Sequence, residues 1–255
     1  MGVLEGKTAV ITGGNSGLGE GAARLWAAEG AQVVVAGRDS GKGEKVAEAI
    51  RSAGGEAFFH QVEVTDPESV ENLYKAVEKK YGKLNVLLAN AGILGPRSTI
   101  ITDITPAEAE ELTAVNYLGV VYSVKYALPL MLKSGGGSII ATGSDSAYLG
   151  NRGLSVYCGT KAAVLAFCRA VAMEYADQKI RVNTVSPGAC KTPMHAELME
   201  GDGEIWKQVE AGIPMGRACY PEDFARTALF FASDNSEYIT GANLMVDGGW
   251  LAKGL

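Results

Sequence analysis

Apolar positions along the chain follow two rhythms. Short, nearly continuous runs rich in Val and Ile recur at Lys7 to Thr12, Gln32 to Ala36, Ala57 to Val62, Leu84 to Ala89, Ser138 to Thr142, Ile180 to Val185 and Asn243 to Val246. Runs of this length without alternation predict strands buried on both faces. Between them lie longer stretches with apolar residues at three- and four-residue spacing, which predict helices. These are Gly17 to Glu29, Lys42 to Ala53, Pro67 to Tyr81, Thr105 towards Lys133, Leu154 to Ala176 and Pro221 to Ser233. Pro67 follows Thr65 and Asp66, which reads as a capped start with proline in the first turn.

Strands alternating with helices predict a parallel sheet with helices on both faces. Right-handed crossovers then give an α/β, doubly wound sheet of about seven strands, and residues 1–255 read as one domain. No internal repeat, linker or low-complexity tract interrupts the pattern. One segment breaks the rhythm. Lys191 to Pro214 is long, carries Gly201 and Gly203, and follows a strand end, where a lid over a substrate would sit.

Composition narrows the function classes. The chain has 255 residues, 47% of them hydrophobic, enough for a large core. Its formal net charge is -6. Nucleic-acid binders normally show a basic face, so neither a nucleic-acid partner nor an anionic membrane surface is expected. No run of 18 apolar residues predicts a membrane span, and the start Met1-Gly2-Val3-Leu4-Glu5-Gly6 has neither a signal-peptide core nor the hydroxyl residue that myristoylation needs at position 6. The expectation is a cytoplasmic protein. Cys158, Cys168, Cys190 and Cys219 form no CxxC pair and read as reduced thiols. Two distant histidines, His60 and His195, do not make a metal site.

The first strand opens into a helix through Thr12-Gly13-Gly14-Asn15-Ser16-Gly17-Leu18-Gly19. Such a turn lets backbone N–H groups and the positive helix end meet a pyrophosphate. The second strand bears on the cofactor. A NAD enzyme usually ends this strand with an acid that holds the ribose 2′-hydroxyl. Here it ends Val35-Ala36-Gly37-Arg38. Glycine cannot repel a 2′-phosphate, and Arg38 can donate two parallel hydrogen bonds to one. NADP(H) is therefore the preferred cofactor. Asp39, one residue on, can serve a ribose instead, so NAD(H) remains the alternative.

Tyr157-Cys158-Gly159-Thr160-Lys161 lies at the start of a predicted helix. Residues four apart share a helix face. A phenol with a pKa near 10 is a poor base at neutral pH. A nearby ammonium favours the phenolate: charges about 4 Å apart interact by about 4 kcal/mol at an effective dielectric of about 20. On this reading Lys161 brings Tyr157 towards the range where it can both give and take a proton. Ser144 lies thirteen residues earlier, just past a strand, where its hydroxyl can orient a substrate oxygen; Ser146 is the competing serine. Ala89-Asn90-Ala91-Gly92 ends the fourth strand with small residues that let backbone approach a ligand.

With these residues in hand, the whole chain resembles the short-chain dehydrogenase/reductase family, whose fold is of the Rossmann type. The marks are TGGNSGLG (Thr12 to Gly19), ANAG (Ala89 to Gly92), VNYLG (Val115 to Gly119), Ser144, YCGTK (Tyr157 to Lys161), SPGACKT (Ser186 to Thr192) and TGANLMVDGG (Thr240 to Gly249). The resemblance implies a tetrad of Asn116, Ser144, Tyr157 and Lys161. Ser144 would hold the reacting oxygen, Tyr157 transfer the proton, Lys161 lower the tyrosine pKa and bind the nicotinamide ribose, and Asn116 hold a water linking Lys161 to solvent. The residue-level alternative for Asn116 is a helix-interior side chain bonded only to backbone. The resemblance also assigns cofactor contacts to Gly13, Asn15, Ser16, Gly17, Leu18, Gly19, Asn90, Ala91, Gly92, Pro187, Gly188 and Thr192. Glu63-Val64 stands where the family usually has Asp-Val, which leaves an acidic contact with altered geometry. A homotetramer built from the helices Ala107 to Lys133 and Leu154 to Ala176 is implied, with a homodimer as the variant.

The implied activity is hydride exchange between a nicotinamide cofactor and a small-molecule secondary alcohol or ketone. A cofactor-sensing regulatory module is the alternative, and the intact tetrad argues against it. Enoyl reduction usually places more residues between Tyr and Lys. Residues expected to line the substrate space are Leu94, Pro96, Asp145, Tyr148, Cys190, Met194 and the segment to Trp206. Their apolar and aromatic bias points to a medium-sized hydrophobic alcohol.

Overall fold

The structure is a computed structural model that describes residues 2–95, 100–195 and 203–253. Its centre is a seven-stranded parallel sheet in the order β3-β2-β1-β4-β5-β6-β7. The strands are β1 (Thr8–Thr12), β2 (Gln32–Gly37), β3 (Glu56–Gln61), β4 (Val86–Ala89), β5 (Gly137–Thr142), β6 (Ile180–Pro187) and β7 (Asn243–Val246). All seven expected strands form within a few residues of their apolar runs. β1, β4 and β5 are buried throughout or nearly so, as continuous apolar runs require. The two edge strands are less buried.

Successive side chains on a strand point to opposite faces, so each strand feeds two cores. Ala9, Ile11, Val33, Val35, Val86 and Leu88 face one layer of helices. That layer contains α1 (Gly17–Ala28), α2 (Ser40–Ser52) and α8 (Pro221–Ala232), with Trp26 and Phe224 fully buried. Val10, Val34, Leu87, Ile139 and Val182 face the other. That layer holds α3 (Pro67–Tyr81), α5 (Gly119–Lys133) and α6 (Ser155–Tyr175). Asp66 caps α3 by accepting from the Glu68 N–H at 3.0 Å, and Thr105 with Glu108 forms a capping box on α4 (Pro106–Thr113).

Two features depart from the sequence pattern. The long stretch from Thr105 to Lys133 is not one regular helix: α4 and α5 are joined by a π-helical turn, Ala114–Leu118, which carries Asn116. Within the segment expected to form a lid, α7 (Glu204–Gly212) forms and buries Trp206 against Ile213 and Ala218. Pro106–Lys133 and Ser155–Gln178 are each long and apolar enough to span a membrane by length and composition; both pack one side against the sheet, with 56% and 44% of their most apolar windows buried.

β1 lies between β2 and β4, so the chain winds outward in both directions from this pair. The crevice at the carboxyl ends of strands at such a reversal is where open α/β sheets bind ligands. Thr12, Ala89, Thr142 and Pro187 all end their strands on this side.

Candidate active site

A cavity of about 610 Å³ opens at these strand ends. It is lined by the glycine turn, the β2 end, the Asn90 to Leu94 segment, Ser144 and Asp145, Tyr157 and Lys161, and the segment from Pro187 to His195.

The glycine turn is built by close approach. Gly13 has φ 66°, and a Cβ there would lie 3.0 Å from the Ala91 Cα. Gly17 has φ 54°, the left-handed region that glycine tolerates. Ser16 is the N-cap of α1 but makes no side-chain capping bond, whereas Asp39, Asp66 and Thr105 all cap their helices. The first turn of α1 therefore keeps N–H groups and positive helix-end charge available to an anion in the cavity. Gly19 does not line the cavity. A Cβ there would sit 2.2 Å from the Gly13 carbonyl oxygen, so Gly19 lets α1 seat against the turn rather than touching a ligand.

At the β2 end, a Cβ on Gly37 would lie 2.6 Å from Asn15 Oδ1, so the Asn15 side chain fills the place of the missing acid. Arg38 is exposed and reaches Glu63 at 3.9 Å. Asp39 Oδ1 accepts from the Lys42 backbone N–H at 2.9 Å and so caps α2, while Oδ2 lies 3.8 Å from Lys42 Nζ. Lys42 also lines the cavity and adds a second cation that the sequence reading did not single out. Glu63 Oε1 accepts from the Thr65 N–H and hydroxyl at 3.1 and 2.9 Å, turning that carboxylate back on its own loop. Asn90 lines the cavity while its side chain stitches strands together: Nδ2 donates to the Thr12 carbonyl at 3.2 Å, and Oδ1 accepts from the Thr142 hydroxyl at 3.1 Å.

Tyr157 and Lys161 lie on one face of α6, both buried, with the Lys161 Nζ 5.7 Å from the centre of the Tyr157 ring. Gly92 makes room for them, since a Cβ there would meet Asn116 Oδ1 at 3.2 Å and Lys161 Nζ at 3.7 Å. The electrostatics differ from the sequence expectation. Burial raises the Tyr157 phenol to about 12, with the neighbouring Ser144 hydroxyl pulling the other way and the Asp145 carboxylate adding to the rise. Burial also lowers Lys161 to about 8. The reason is geometric: Nζ donates to the Thr142 carbonyl at 2.9 Å, so the amine is held by the β5 end rather than by the phenol oxygen. Desolvation then outweighs charge pairing.

Asn116 is fully buried behind this pair and does not line the cavity. Its side chain bonds the Ile93 backbone in both directions and lies 3.4 Å from the Thr160 hydroxyl. Ser144 donates to Asp145 Oδ1 at 3.0 Å and accepts from the Ser146 N–H at 3.1 Å. Ser146 is held apart from this chemistry, accepting from Asn151 Nδ2 at 2.7 Å and donating to Asp145 Oδ1 at 3.3 Å. Thr192 faces the glycine turn, its Cβ 3.4 Å from where a Gly17 Cβ would stand.

Of the residues expected around the substrate, Leu94, Asp145, Cys190, Met194 and Trp206 line the cavity. Tyr148 does not: it is about half exposed on the turn after Ser146. Pro96 lies outside the described residues, as does part of the expected lid. Ile93, Val209, Ile213 and Trp250 also line the wall, and only their apolar character hinted at it. Cys190 pairs with Cys219 across an isolated parallel bridge, and all four cysteines are free thiols. Among the described residues, no group of three or more His, Cys, Asp or Glu is suited to a metal.

A solved short-chain type dehydrogenase/reductase from Mycobacterium marinum superposes with a TM-score of 0.91 at 35% identity, over 97% of this chain and 96% of that one. The chain belongs to the short-chain dehydrogenase/reductase family. A family model described as enoyl-(acyl carrier protein) reductase matches residues 13–251. Among curated short-chain dehydrogenase/reductase relatives, 2,5-dichloro-2,5-cyclohexadiene-1,4-diol dehydrogenase LinX of Sphingobium indicum is 40% identical over 247 residues, 97% of each chain. Meso-2,3-butanediol dehydrogenase of Serratia marcescens is 38% identical over 250 residues, covering 98% of this chain and 96% of its own. The crystal structure of levodione reductase matches with a TM-score of 0.94 at 28% identity, over 98% of this chain and all of that one.

Proposed function

We propose that the protein exchanges hydride between NADP(H) and a secondary alcohol or ketone, with Tyr157 as the acid/base. The observation that carries this reading is the juxtaposition of Tyr157, Lys161 and Ser144 with the glycine turn around one cavity. The residues present fit a dinucleotide: α1 offers an uncapped N-terminus, the glycines admit a close ligand, and Gly92 leaves room beside Lys161. Gly13, Asn15, Ser16, Gly17 and Leu18 would hold the pyrophosphate end, with Gly19 seating α1 behind them. Arg38 and Lys42 would hold the 2′-phosphate, and Val64, Asn90, Ala91 and Gly92 would flank the cofactor. Glu63 sits beside Arg38 at the same end. Pro187, Gly188 and Thr192 would meet the carboxamide edge. NAD(H) is the alternative, less favoured because Gly37 stands where an acid would end β2 and two cations, Arg38 and Lys42, line that end of the cavity.

When bound, the nicotinamide would accept the hydride in alcohol oxidation and supply it in ketone reduction. The chain's own residues do the rest. Ser144 positions the substrate oxygen beside the phenol. Tyr157 takes the hydroxyl proton in alcohol oxidation and returns one to the carbonyl oxygen in ketone reduction. Lys161 fixes the nicotinamide ribose, and Asn116 holds the wall that carries Ile93 in place. Residues 191–195 and 203–214 would form part of a lid within a single domain, and the apolar wall favours a medium-sized hydrophobic substrate.

The names of the relatives support alcohol and diol substrates over enoyl ones, as does the four-residue step from Tyr157 to Lys161. The test is a panel of alcohols and ketones, with an enoyl thioester, followed by reduced-nicotinamide absorbance. Tyr157→Phe should lose turnover on every alcohol while still binding cofactor by fluorescence. Full turnover in that variant would overturn the assignment. We further propose a cytoplasmic homotetramer built on the Pro106–Lys133 and Ser155–Gln178 helices.

A further inference from the structure

The wall beside Ser144 carries a carboxylate that the proton-transfer machinery does not use. Asp145 lines the cavity and is half-buried there, next to Ser144 and Ser146 and facing Gly188. Its two oxygens differ. Oδ1 accepts from the Ser144 hydroxyl at 3.0 Å and from the Ser146 hydroxyl at 3.3 Å. Oδ2 accepts no hydrogen bond from any described residue. Oδ2 lies on the side of Gly188, another residue of the cavity lining, where a Cβ would come within van der Waals contact of it at 3.6 Å and the glycine leaves that space open. The neighbouring Asp247 is in the opposite condition, with both carboxylate oxygens taken by the Gly249 and Leu251 N–H groups. A half-buried carboxylate in a cavity lining with one acceptor oxygen unused is an anchor for a ligand donor.

We infer that Asp145 accepts a hydrogen bond from a second hydroxyl of the substrate, so that the preferred substrates are diols and hydroxyketones rather than simple alcohols. This rests on the proposed alcohol/ketone chemistry. The reacting oxygen must lie within about 3 Å of Ser144 Oγ to be held by it. Ser144 Oγ is itself 3.0 Å from the Asp145 carboxylate. A hydroxyl on a nearby carbon of the same skeleton therefore falls within reach of Oδ2, and a lone carbinol leaves that oxygen without a donor. The second hydroxyl keeps its proton, and no bond forms or breaks at it. Carbonyl groups in that place are disfavoured, because two acceptors would face each other.

The experiment compares cyclohexanol with 1,2- and 1,4-cyclohexanediols, which share a ring and differ by one donor. In the wild type, at least one diol should exceed cyclohexanol in kcat/KM by about tenfold or more, because a site built around a hydroxyl discriminates against its absence. Asp145→Asn retains an acceptor for Ser144 and Ser146 but replaces the anionic oxygen with an amide donor. The diol-to-cyclohexanol ratio should then fall at least about fivefold, with the loss in KM for the diol, since charge-assisted bonds are roughly twice as strong as neutral ones. Calorimetric binding of the same alcohols to the cofactor complex of Tyr157→Phe should show the same diol preference without turnover. If Asp145 only positions Ser144, both substrates fall together in Asp145→Asn and the ratio stays fixed, which overturns the proposal. If that variant does not fold, the wild-type comparison and the Tyr157→Phe binding decide alone, and equal behaviour of cyclohexanol and the diols overturns it. Turnover of cyclohexanol without any diol preference would sink the Asp145 inference and leave the proposed function standing. Turnover of neither class, nor of any other alcohol or ketone, would sink both.

Discussion

Asn116 and Ile93 hold each other through two hydrogen bonds: the Ile93 N–H donates to Asn116 Oδ1 at 2.8 Å, and Asn116 Nδ2 donates to the Ile93 carbonyl at 2.9 Å. A side-chain amide thus does for Ile93 what a neighbouring strand does for the residues before it. Ile93 is in the segment that leaves β4 and forms one wall of the cavity. Asn116→Ala leaves the part-buried N–H and carbonyl of Ile93 without partners, each costing about 1 kcal/mol. The variant should lose at least about 2 kcal/mol in chemical denaturation, and KM for substrate should rise as the wall loosens. Unchanged denaturation midpoints would show that water replaces the amide at no cost.

That pairing also marks where the sequence was readable and where it was not. Strands and helices were legible because their signal is local: Val33 to Ala36 cannot face water on either side, and Pro67 after Asp66 can only start a helix. The glycine turn and the Tyr157–Lys161 step were legible for the same reason. The π turn that carries Asn116 was not, because its register depends on what the helix packs against rather than on its own side chains. Nor was the exclusion of Gly19 from the cavity, which follows from the approach of α1 to the Gly13 carbonyl. The spacing of Tyr157 and Lys161 places them correctly, but spacing says nothing of desolvation. Burial, a property of the whole fold, reverses the expected shift in the phenol.

Lys161 gives a stability prediction with a definite sign. Its ordinary pKa of 10.5 drops to about 8 in the folded chain. Below about pH 8 the folded state must keep a buried ammonium, so the full cost is present there. The cost is relieved as pH rises from 8 to 10.5, because the folded state then binds fewer protons than the unfolded one. The displacement corresponds to about 3 kcal/mol. Lys161→Met removes the charge and also the bond to the Thr142 carbonyl. The cofactor-free variant should therefore be about 1–3 kcal/mol more stable than wild type at pH 7, with the advantage shrinking by pH 10, while turnover is lost. Denaturation at both pH values checks this, and an advantage that grows with pH would contradict the sign.

Arg38 is the residue on which cofactor choice turns. It is exposed, and Glu63 at 3.9 Å is a weak partner that a phosphate would outcompete. Arg38→Ala should raise KM for NADP(H) by about tenfold or more and leave KM for NAD(H) within about twofold, since a guanidinium–phosphate pair is a strong charge-assisted contact. Steady-state kinetics with both cofactors gives the answer. Equal changes for the two would remove the phosphate role and return the choice to the ribose hydroxyls.

The two glycines Gly17 and Gly19 should respond to alanine for different reasons. At Gly17 a Cβ meets nothing closer than 3.4 Å, so the cost is that of a left-handed φ, about 1–2 kcal/mol. Because Gly17 lines the cavity, that strain falls where the cofactor approaches, and Gly17→Ala should fold but bind cofactor more weakly. At Gly19 the Cβ would lie 2.2 Å from the Gly13 carbonyl oxygen and 2.7 Å from Asn90 Nδ2. Backbone cannot yield as a flexible side chain does, so α1 must shift away from β1. That movement disturbs the Asn90 bonds to the Thr12 and Gly13 carbonyls and the packing of Trp26 beneath the helix. Gly19→Ala should therefore lower the melting temperature of the cofactor-free protein more than Gly17→Ala does. Thermal unfolding with and without cofactor separates the two effects. A Gly19→Ala protein that melts like wild type would mean that α1 has slack the present packing does not show.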